Sequence, residues 1–294
     1  MMRDVMKEAK RRAVNRKRSK PARTEAKSTE PMEPTTDSVT LMSDGEFMTS
    51  LARGLAVIRG LSEQARGLTI AELSRVVDIP RAAVRRCLHT LEQLGFVGSD
   101  GRVFFLKPKI LTLGYAYLSS NPLSAAAQPL LDRLSVALQE SSSLATLSGD
   151  EIVYVGRATT SKRIMSIDIS VGTRLPAYCT SMGRVLLAHL PPKELSGFLA
   201  RVKMTAFTPR TVTSRENLRQ ILEGVHRAGH ALVDQELEIG LRSIAVPVRD
   251  AMGNVTAAIN VGTQAARIGV REMEVRVLPA LQEVADELTA VLRR

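Results

Sequence analysis

Long apolar runs are absent from this chain of 294 residues. No stretch approaches the ~18 consecutive apolar residues that a membrane-spanning helix needs. The first 20 residues also lack the apolar core of a secretory signal. Cysteine is scarce as well, since the chain has only two cysteines. They lie far apart in the sequence, which is typical of proteins in a reducing compartment. We therefore predict a cytoplasmic protein that makes no contact with membranes.

Patterns typical of enzymes and of metal sites are weak in this sequence. No glycine-rich phosphate loop follows a predicted strand. His226 and His230 have the spacing of a zinc-binding helix, but no glutamate follows the first histidine and Gly229 indicates a helix end. Cys179 and His189 could act as thiol and base only if the fold brought them together. We predict no catalytic residue, no metal and no cofactor.

Positive charge is abundant, with a formal net charge of +11 at pH 7. Residues 1–36 carry 11 basic and 5 acidic side chains, and residues 50–109 carry 10 basic and 5 acidic side chains. Basic segments attract polyanions, including DNA. Residues 1–46 contain too few large apolar side chains to bury a core, so we predict a disordered basic tail there.

One segment has the pattern of two short helices followed by a hairpin. Thr69 and Glu72 fit a capping box at the start of the first helix. Pro80 suits the first turn of the second helix, where its missing N–H costs nothing. Asp100 and Gly101 are typical of a hairpin turn. This combination predicts a winged helix-turn-helix that binds double-stranded DNA.

The second of these helices has one apolar face and one small, basic face. Its inward stripe is predicted to contain Val84, Leu88, Leu91 and Leu94. A preceding helix should complete the core through Leu51, Leu55, Ile58 and Leu61. The basic face can enter the major groove, which is about 12 Å wide. The candidate DNA-contacting residues are Thr69, Arg81, Ala82, Arg85, Arg86, His89 and Arg102.

The rest of the chain mixes β-prone runs with helical patterns. We expect strands at 143–148, 152–157, 164–169, 231–235, 243–248 and 255–261. Helices are expected at 123–139, 181–190, 192–202, 214–228 and from 270 onward, the fourth of them behind a Thr213/Glu216 capping box. Strands paired as hairpins with helices packed over them predict an α+β fold with an antiparallel sheet. The predicted domains are a basic tail at 1–46, a DNA-binding domain at 47–108, a linker helix at 109–122 and an effector-binding domain at 123–294.

Several long strings carry a family resemblance. They are RGLAVIRGL, LTIAELSRVVDIPRAAVRRCLHTLEQLGFV, VGTRLPAYCTSMGRVLLAHLP, GHALVDQELEIGLRSIAVPVRD and AAINVG. Through them the chain resembles the isocitrate-lyase-regulator (IclR) family of bacterial transcription factors, and within it the regulators of the β-ketoadipate pathway. The resemblance implies a homodimer or tetramer that binds an operator and a small carboxylate effector. Candidate effectors are 4-hydroxybenzoate, protocatechuate and β-ketoadipate.

A carboxylate effector needs an anion-binding group within a mostly apolar pocket. A helix start near Ser181 would direct the amides of Ser181, Met182 and Gly183 at the anion, with the hydroxyls of Thr180 and Ser181 beside it. An ordinary capped helix start is the alternative. The resemblance adds strand positions to the site, and the full candidate set is Tyr178, Thr180, Ser181, Met182, Gly183, Asp234, Glu236, Ser243 and Asn260.

Some roles remain open in this interpretation. Arg174 and Arg242 could pair with acidic residues or face the effector. Tyr178 could cover an aromatic ring or belong to the core. The rival classes are an enzyme with a fused DNA-binding module, an architectural DNA-binding protein without a ligand, and a regulator of another small-carboxylate pathway.

Overall fold

The structure is a computed structural model that describes residues 46–62, 66–159 and 169–293. The basic tail predicted at 1–46 lies outside the described residues except for Glu46. The strand predicted at 164–169 also lies outside them except for Ile169. Within the described part of the chain, no helix is long and apolar enough to cross a membrane.

The N-terminal described residues form a winged helix-turn-helix, as predicted. Its elements are α1 (Thr49–Ser62), α2 (Ile70–Val76), α3 (Arg81–Gln93), β1 (Val97–Ser99) and β2 (Phe104–Leu106). The capping box at the start of α2 is present. Thr69 Oγ1 accepts a hydrogen bond from Glu72 N at 3.2 Å, and Thr69 N donates to Glu72 Oε2 at 2.9 Å. Both interactions satisfy amides that a helix start leaves without partners.

The buried face of this unit differs from the predicted one. Leu51 and Leu55 are 57% and 51% exposed, and Leu94 is 52% exposed. Of the predicted core residues of α1, Leu61 is buried and Ile58 is partly buried, and Val57 and Gly60 complete the face that packs. A Cβ on Gly60 would lie 2.7 Å from Val77 Cγ1, so the missing side chain permits close helix packing. Periodicity identified α1 but placed its apolar face partly on the wrong side.

Two helices connect the winged helix to the larger unit. A 3₁₀ turn at Pro108–Ile110 precedes α4 (Leu111–Ser120), which is followed by α5 (Pro122–Leu138). Asn121 separates the two helices and caps α5, because its Oδ1 accepts from Leu123 N at 3.0 Å. Both helices agree with the sequence prediction.

The larger unit contains an antiparallel sheet of six described strands. They are β3 (Ser141–Ser148), β4 (Glu151–Ala158), β5 (Arg174–Pro176), β6 (Ala231–Asp234), β7 (Leu241–Arg249) and β8 (Val255–Gln264), in the order β5-β4-β3-β8-β7-β6. The pairs β3–β4, β6–β7 and β7–β8 are local, whereas β3–β8 joins distant parts of the chain. The sequence did not predict β5, because three residues are too few to show a period.

Helices cover both faces of this sheet. Besides α5, they are α6 (Ser181–Ala188), α7 (Pro192–Arg201), α8 (Arg215–Ala228), α9 (Val270–Glu272) and α10 (Leu278–Leu292), with a π-helical turn at Met273–Val277 before α10. The predicted Thr213/Glu216 capping box is wrong. Ser214 caps α8, because its Oγ accepts from Asn217 N at 3.3 Å, while Glu216 Oε1 accepts from the Gln220 side chain.

The sheet separates two hydrophobic cores. One core lies under α5 and α10 and includes Leu131, Leu144, Ile259 and Leu281. The other lies under α6 and α8 and includes Ala145, Met182, Leu222 and Ala258. Leu144 and Ala145 are adjacent on β3 and point to opposite faces, as strand geometry requires. Small residues on the α6 side leave room for a cavity beyond that core.

Candidate functional site

The basic face of α3 is exposed, as the sequence predicts for a DNA-reading helix. Arg81, Ala82, Arg85, Arg86 and His89 are all exposed. Their side chains lie opposite the buried residues Val84, Leu88 and Leu91. Thr69, at the start of α2, is only half-buried, although its hydroxyl is already engaged in the cap.

The turn of the wing presents Arg102 to solvent. Asp100 Oδ1 accepts hydrogen bonds from the backbone N–H groups of Val103 and Arg102, each at 2.9 Å. The hydrogen bond from Val103 has the larger effect, that from Arg102 the second, and together they lower the pKa of the Asp100 carboxyl below its usual value. The ionised Asp100 therefore fixes the turn that carries Arg102.

A narrow cavity lies between the sheet and the start of α6. It is partly open to solvent. Its polar lining comes from Ser141, Ser143, Arg157, Thr180, Ser181, Ser243 and Asn260. Its less polar lining comes from Tyr154, Ile169, Cys179, Val233, Leu237, Leu241 and Gly262. Apolar walls with a few convergent polar groups are typical of small-molecule sites.

The polar floor of the cavity follows from strand register. Ser143 on β3 lies opposite Arg157 on β4 and opposite Asn260 on β8. Two residues earlier on β3, Ser141 lies opposite Gly262 on β8, and Gly262 lies opposite Ser243 on β7. Residues two apart on a strand share one face of a sheet, so both rows face the cavity.

Arg157 supplies positive charge to this floor. Its Nη1 donates to Ser143 Oγ across the two strands at 3.4 Å. The same row continues to Asn260, so a guanidinium, a hydroxyl and an amide lie side by side. This arrangement can bind an anion.

The side chain of Thr180 caps the start of α6. Thr180 Oγ1 accepts from Gly183 N at 3.2 Å and donates to Pro176 O at 3.1 Å. Ser181 behaves differently, since its Oγ is buried and has no hydrogen-bond partner among the described residues. The same holds for Ser141 Oγ. Both of these serines line the cavity.

Three predicted effector residues near α6 do not line the cavity. Met182 is fully buried in the core. Gly183 packs against the backbone of Ala177, where an added Cβ would lie 2.2 Å from the carbonyl oxygen. Tyr178 Oη donates to Thr205 O at 2.7 Å, and its ring stacks on Phe207. Of the roles left open for Tyr178, this geometry favours the core.

The acidic candidates are engaged in ion pairs. Asp234 pairs with Arg210 and Arg242, and Glu236 pairs with Arg184. Neither carboxylate lines the cavity. Arg174 pairs with Glu151, so both Arg174 and Arg242 contact acidic residues rather than the cavity.

Four of the nine predicted effector residues line the cavity: Thr180, Ser181, Ser243 and Asn260. The sequence interpretation missed Ser141, Ser143 and Arg157. The i, i+2 spacing of the two serines within a β-prone run was an available signal, since it places both on one face. Nothing local indicated that Arg157 would lie beside Ser143.

The cysteine and histidines considered above as catalytic or metal-binding residues lie in surroundings that do not favour those roles. Burial raises the pKa of the Cys179 thiol to about 12, which disfavours the nucleophilic thiolate. His189 Nδ1 lies 2.8 Å from Val185 O, and its ring lies 4.9 Å from that of His226. His230 Nδ1 lies 3.2 Å from Ala228 O. Within the described ranges, no three His, Cys, Asp or Glu side chains cluster as a metal site would require.

Two family models match the chain. Residues 50–101 match the IclR helix-turn-helix domain. Residues 115–290 match the C-terminal domain of bacterial IclR transcriptional regulators. The two matches cover both units of the fold.

Individual relatives give the same picture. The Pca regulon regulatory protein of Pseudomonas putida is 54% identical over 245 residues, covering 83% of this chain and 84% of the relative. A putative transcriptional regulator from Rhodococcus sp. RHA1 is 45% identical, with a TM-score of 0.74 and coverage of 84% and 98%. An IclR homologue from Microbacterium hydrocarbonoxydans, crystallised with 4-hydroxybenzoate, is 26% identical, with a TM-score of 0.71 and coverage of 83% and 99%.

Proposed function

Because this chain belongs to the IclR family of bacterial transcriptional regulators, we propose that it regulates aromatic acid catabolism by binding a small carboxylate in the cavity beside α6. The observation that carries the proposal is the cavity itself, whose floor combines Arg157, three serines and Asn260. Further support comes from the Pca regulon regulator and from the homologue that binds 4-hydroxybenzoate. The candidate effectors are 4-hydroxybenzoate, protocatechuate and β-ketoadipate.

The winged helix is the proposed reader of operator DNA. Arg81, Arg85 and Arg86 on α3 would contact base edges or phosphates in the major groove, with Ala82 and His89 beside them. Arg102 on the wing would contact the flanking backbone. Thr69 would contribute through the α2 start that it caps. The proposed DNA-binding domain spans 47–108, and the proposed effector-binding domain spans 123–294.

The linker helix is the proposed connection between ligand and DNA. A ligand shifts an equilibrium only by binding two arrangements unequally. In a homodimer or tetramer, closure of the cavity on an effector would alter how the linkers at 109–122 place two DNA-binding domains. The proposed location of this assembly is the cytoplasm, where operator DNA is available.

The proposal is tested by DNA footprinting with and without ligand. The protein is titrated onto DNA upstream of aromatic-catabolism genes in the presence of each of the three acids. We expect a protected operator whose affinity or pattern changes with at least one acid. Specific protection that none of the acids affects would favour a DNA-binding protein without this ligand class. Turnover of an acid would favour the enzyme alternative.

A further inference from the structure

We infer that Arg157 is the group that binds the effector carboxylate, and that the hydroxyls of Ser141 and Ser181 bind a second polar group of the same ligand. This inference rests on the proposed function and specifies its ligand class. The ligand would be a small acid that also carries a hydroxyl or carbonyl group, rather than an unsubstituted apolar acid.

The position of Arg157 supports the first half of the inference. Its guanidinium is the only cationic group that lines the cavity among the described residues. Planar guanidinium groups bind carboxylates through two parallel hydrogen bonds. Ser143 Oγ, 3.4 Å from Arg157 Nη1, and the Asn260 amide in the same row can bind the carboxylate oxygens as well.

Two other arginines of this sheet region have different surroundings. Arg174 donates from Nε to Glu151 Oε2 at 2.7 Å and lies on β5 outside the cavity. Arg242 donates to Asp234 and to the carbonyl of Ala265 on the far side of β7. Neither guanidinium faces the cavity, so Arg157 differs from both in location.

The helix start is the competing anion site, and its chemistry is weaker. Gly183 N already donates to Thr180 Oγ1, so one amide of this helix start is already satisfied. Partial charges at the end of a helix of eight residues also attract an anion less strongly than a full guanidinium charge in the same cavity.

Ser141 and Ser181 support the second half of the inference. Their side chains are 2% and 1% exposed, and neither hydroxyl oxygen has a partner among the described residues. Buried hydroxyls are normally hydrogen-bonded, and an exception calls for an explanation. One hydroxyl comes from β3 and the other from α6, yet both line the same cavity. A ligand oxygen between sheet and helix would satisfy them.

Isothermal titration calorimetry on the full chain tests the assignment of Arg157. The wild type is first titrated with 4-hydroxybenzoate, protocatechuate and β-ketoadipate, and each acid that binds is then titrated into variants. Arg157→Gln should weaken binding at least 10-fold, and Arg157→Lys should recover part of that loss because the charge is retained. Arg174→Gln is the matched control, with a change of less than 2-fold expected.

The outcomes separate this inference from the proposed function. If the wild type binds none of the three acids, the proposed function is overturned, and the assignment of Arg157 is overturned with it. If the wild type binds but Arg157→Gln binds equally well, only the assignment of Arg157 is overturned, and the helix start becomes the anion site. Equal losses in Arg157→Gln and the Arg174→Gln control would also overturn it, because the loss would then not depend on a guanidinium in the cavity.

A second comparison tests the hydroxyls of Ser141 and Ser181. Ser141→Ala and Ser181→Ala should leave Tm of the ligand-free protein unchanged or raised, because no protein hydrogen bond is lost. Both variants should weaken 4-hydroxybenzoate binding several-fold but leave benzoate binding unchanged. Ser142→Ala is the control, because Ser142 Oγ contacts Ser135 Oγ and donates to Leu131 O, each at 2.9 Å, so its Tm should fall. A lower Tm in Ser141→Ala and Ser181→Ala would overturn the role proposed for these two hydroxyls. An unchanged ratio of 4-hydroxybenzoate affinity to benzoate affinity would overturn it as well.

Discussion

Arg184 and Glu236 form a bidentate ion pair inside the protein. Arg184 Nη1 and Nη2 lie 2.7 Å from Glu236 Oε1 and Oε2, and the two side chains are 3% and 10% exposed. Arg184 Nε also donates to Tyr178 O at 2.9 Å, while Glu236 Oε2 accepts from Val212 N at 3.0 Å. The pair therefore ties the start of α6, which forms one wall of the cavity, to the segments after β6 and before α8.

The first prediction concerns this pair. Glu236→Ala leaves a buried guanidinium without its counter-charge and should lower the free energy of unfolding by about 3–5 kcal/mol. Urea denaturation followed by circular dichroism measures the change. Arg276→Ala is the control, because it breaks an exposed pair with Glu272 and should cost only about 0.5 kcal/mol. Equal effects in the two variants would contradict the structural role of Glu236.

The second prediction concerns close backbone packing at α6. A Cβ on Gly183 would lie 2.2–2.6 Å from three backbone atoms of Ala177, which cannot move aside as a flexible side chain could. Gly183→Ala should therefore destabilise the protein by about 3 kcal/mol or more. A thermal melt gives the direction and size of the effect. Loss of effector response in a Gly183 variant would consequently report on folding, not on ligand entry.

Gly224 provides the matched comparison for Gly183. It lies within α8, and a Cβ there would have no heavy atom within 4 Å. Gly224→Ala should stabilise the protein by about 0.5–1 kcal/mol, since alanine favours the helix. If Gly183→Ala and Gly224→Ala had the same Tm, the result would contradict the close packing of Gly183 against the backbone of Ala177.

The third prediction concerns DNA recognition. Arg85 is exposed on the basic face of α3, and Arg85→Ala should cost about 1–3 kcal/mol on the specific operator with a smaller loss on random DNA. Fluorescence anisotropy at one fixed salt concentration measures both. Arg227→Ala, on the exposed side of α8, should change neither affinity. Equal losses on operator and random DNA would reassign Arg85 to phosphate contact.

The fourth prediction concerns the thiol of Cys179. Because burial raises its pKa to about 12, the folded protein holds the neutral thiol at pH 8. In a Cys87→Ser background, iodoacetamide should label Cys179 only after unfolding in urea. A Cys179→Ser variant is the control, in which the half-buried Cys87 should react faster. Rapid labelling of native Cys179 would mean that the cavity admits the reagent and stabilises a thiolate.

The same shift makes stability depend on pH. An unfolded thiol ionises near its ordinary pKa of 9.0, whereas the folded one stays neutral to about 12. Stability from this group is fully present below pH 9 and is lost as the pH rises from 9 to 12. The alkaline decrease in Tm should therefore be smaller in Cys179→Ser than in the wild type.

Local chemistry explains what could be predicted from the sequence. The Thr69/Glu72 capping box and the Asp100 turn each involve residues within a few positions of one another, so the sequence alone predicted them correctly. The same holds for the hairpin of β3 and β4. Long matching strings likewise predicted the family and the α+β fold. The domain boundaries and the DNA contacts remain predictions, and the Arg85→Ala measurement tests one of these contacts.

The tertiary structure decided which side chains meet. Leu51, Leu55 and Leu94 have the right spacing for a core but are exposed, because burial depends on what packs against a face. Glu236 joins Arg184 rather than the cavity. Ser143 meets Arg157 and Asn260 only because β3 pairs with both β4 and the distant β8. The sequence by itself determined the local elements and the family, whereas long-range strand pairing, which leaves no local signal, determined the polar floor of the cavity.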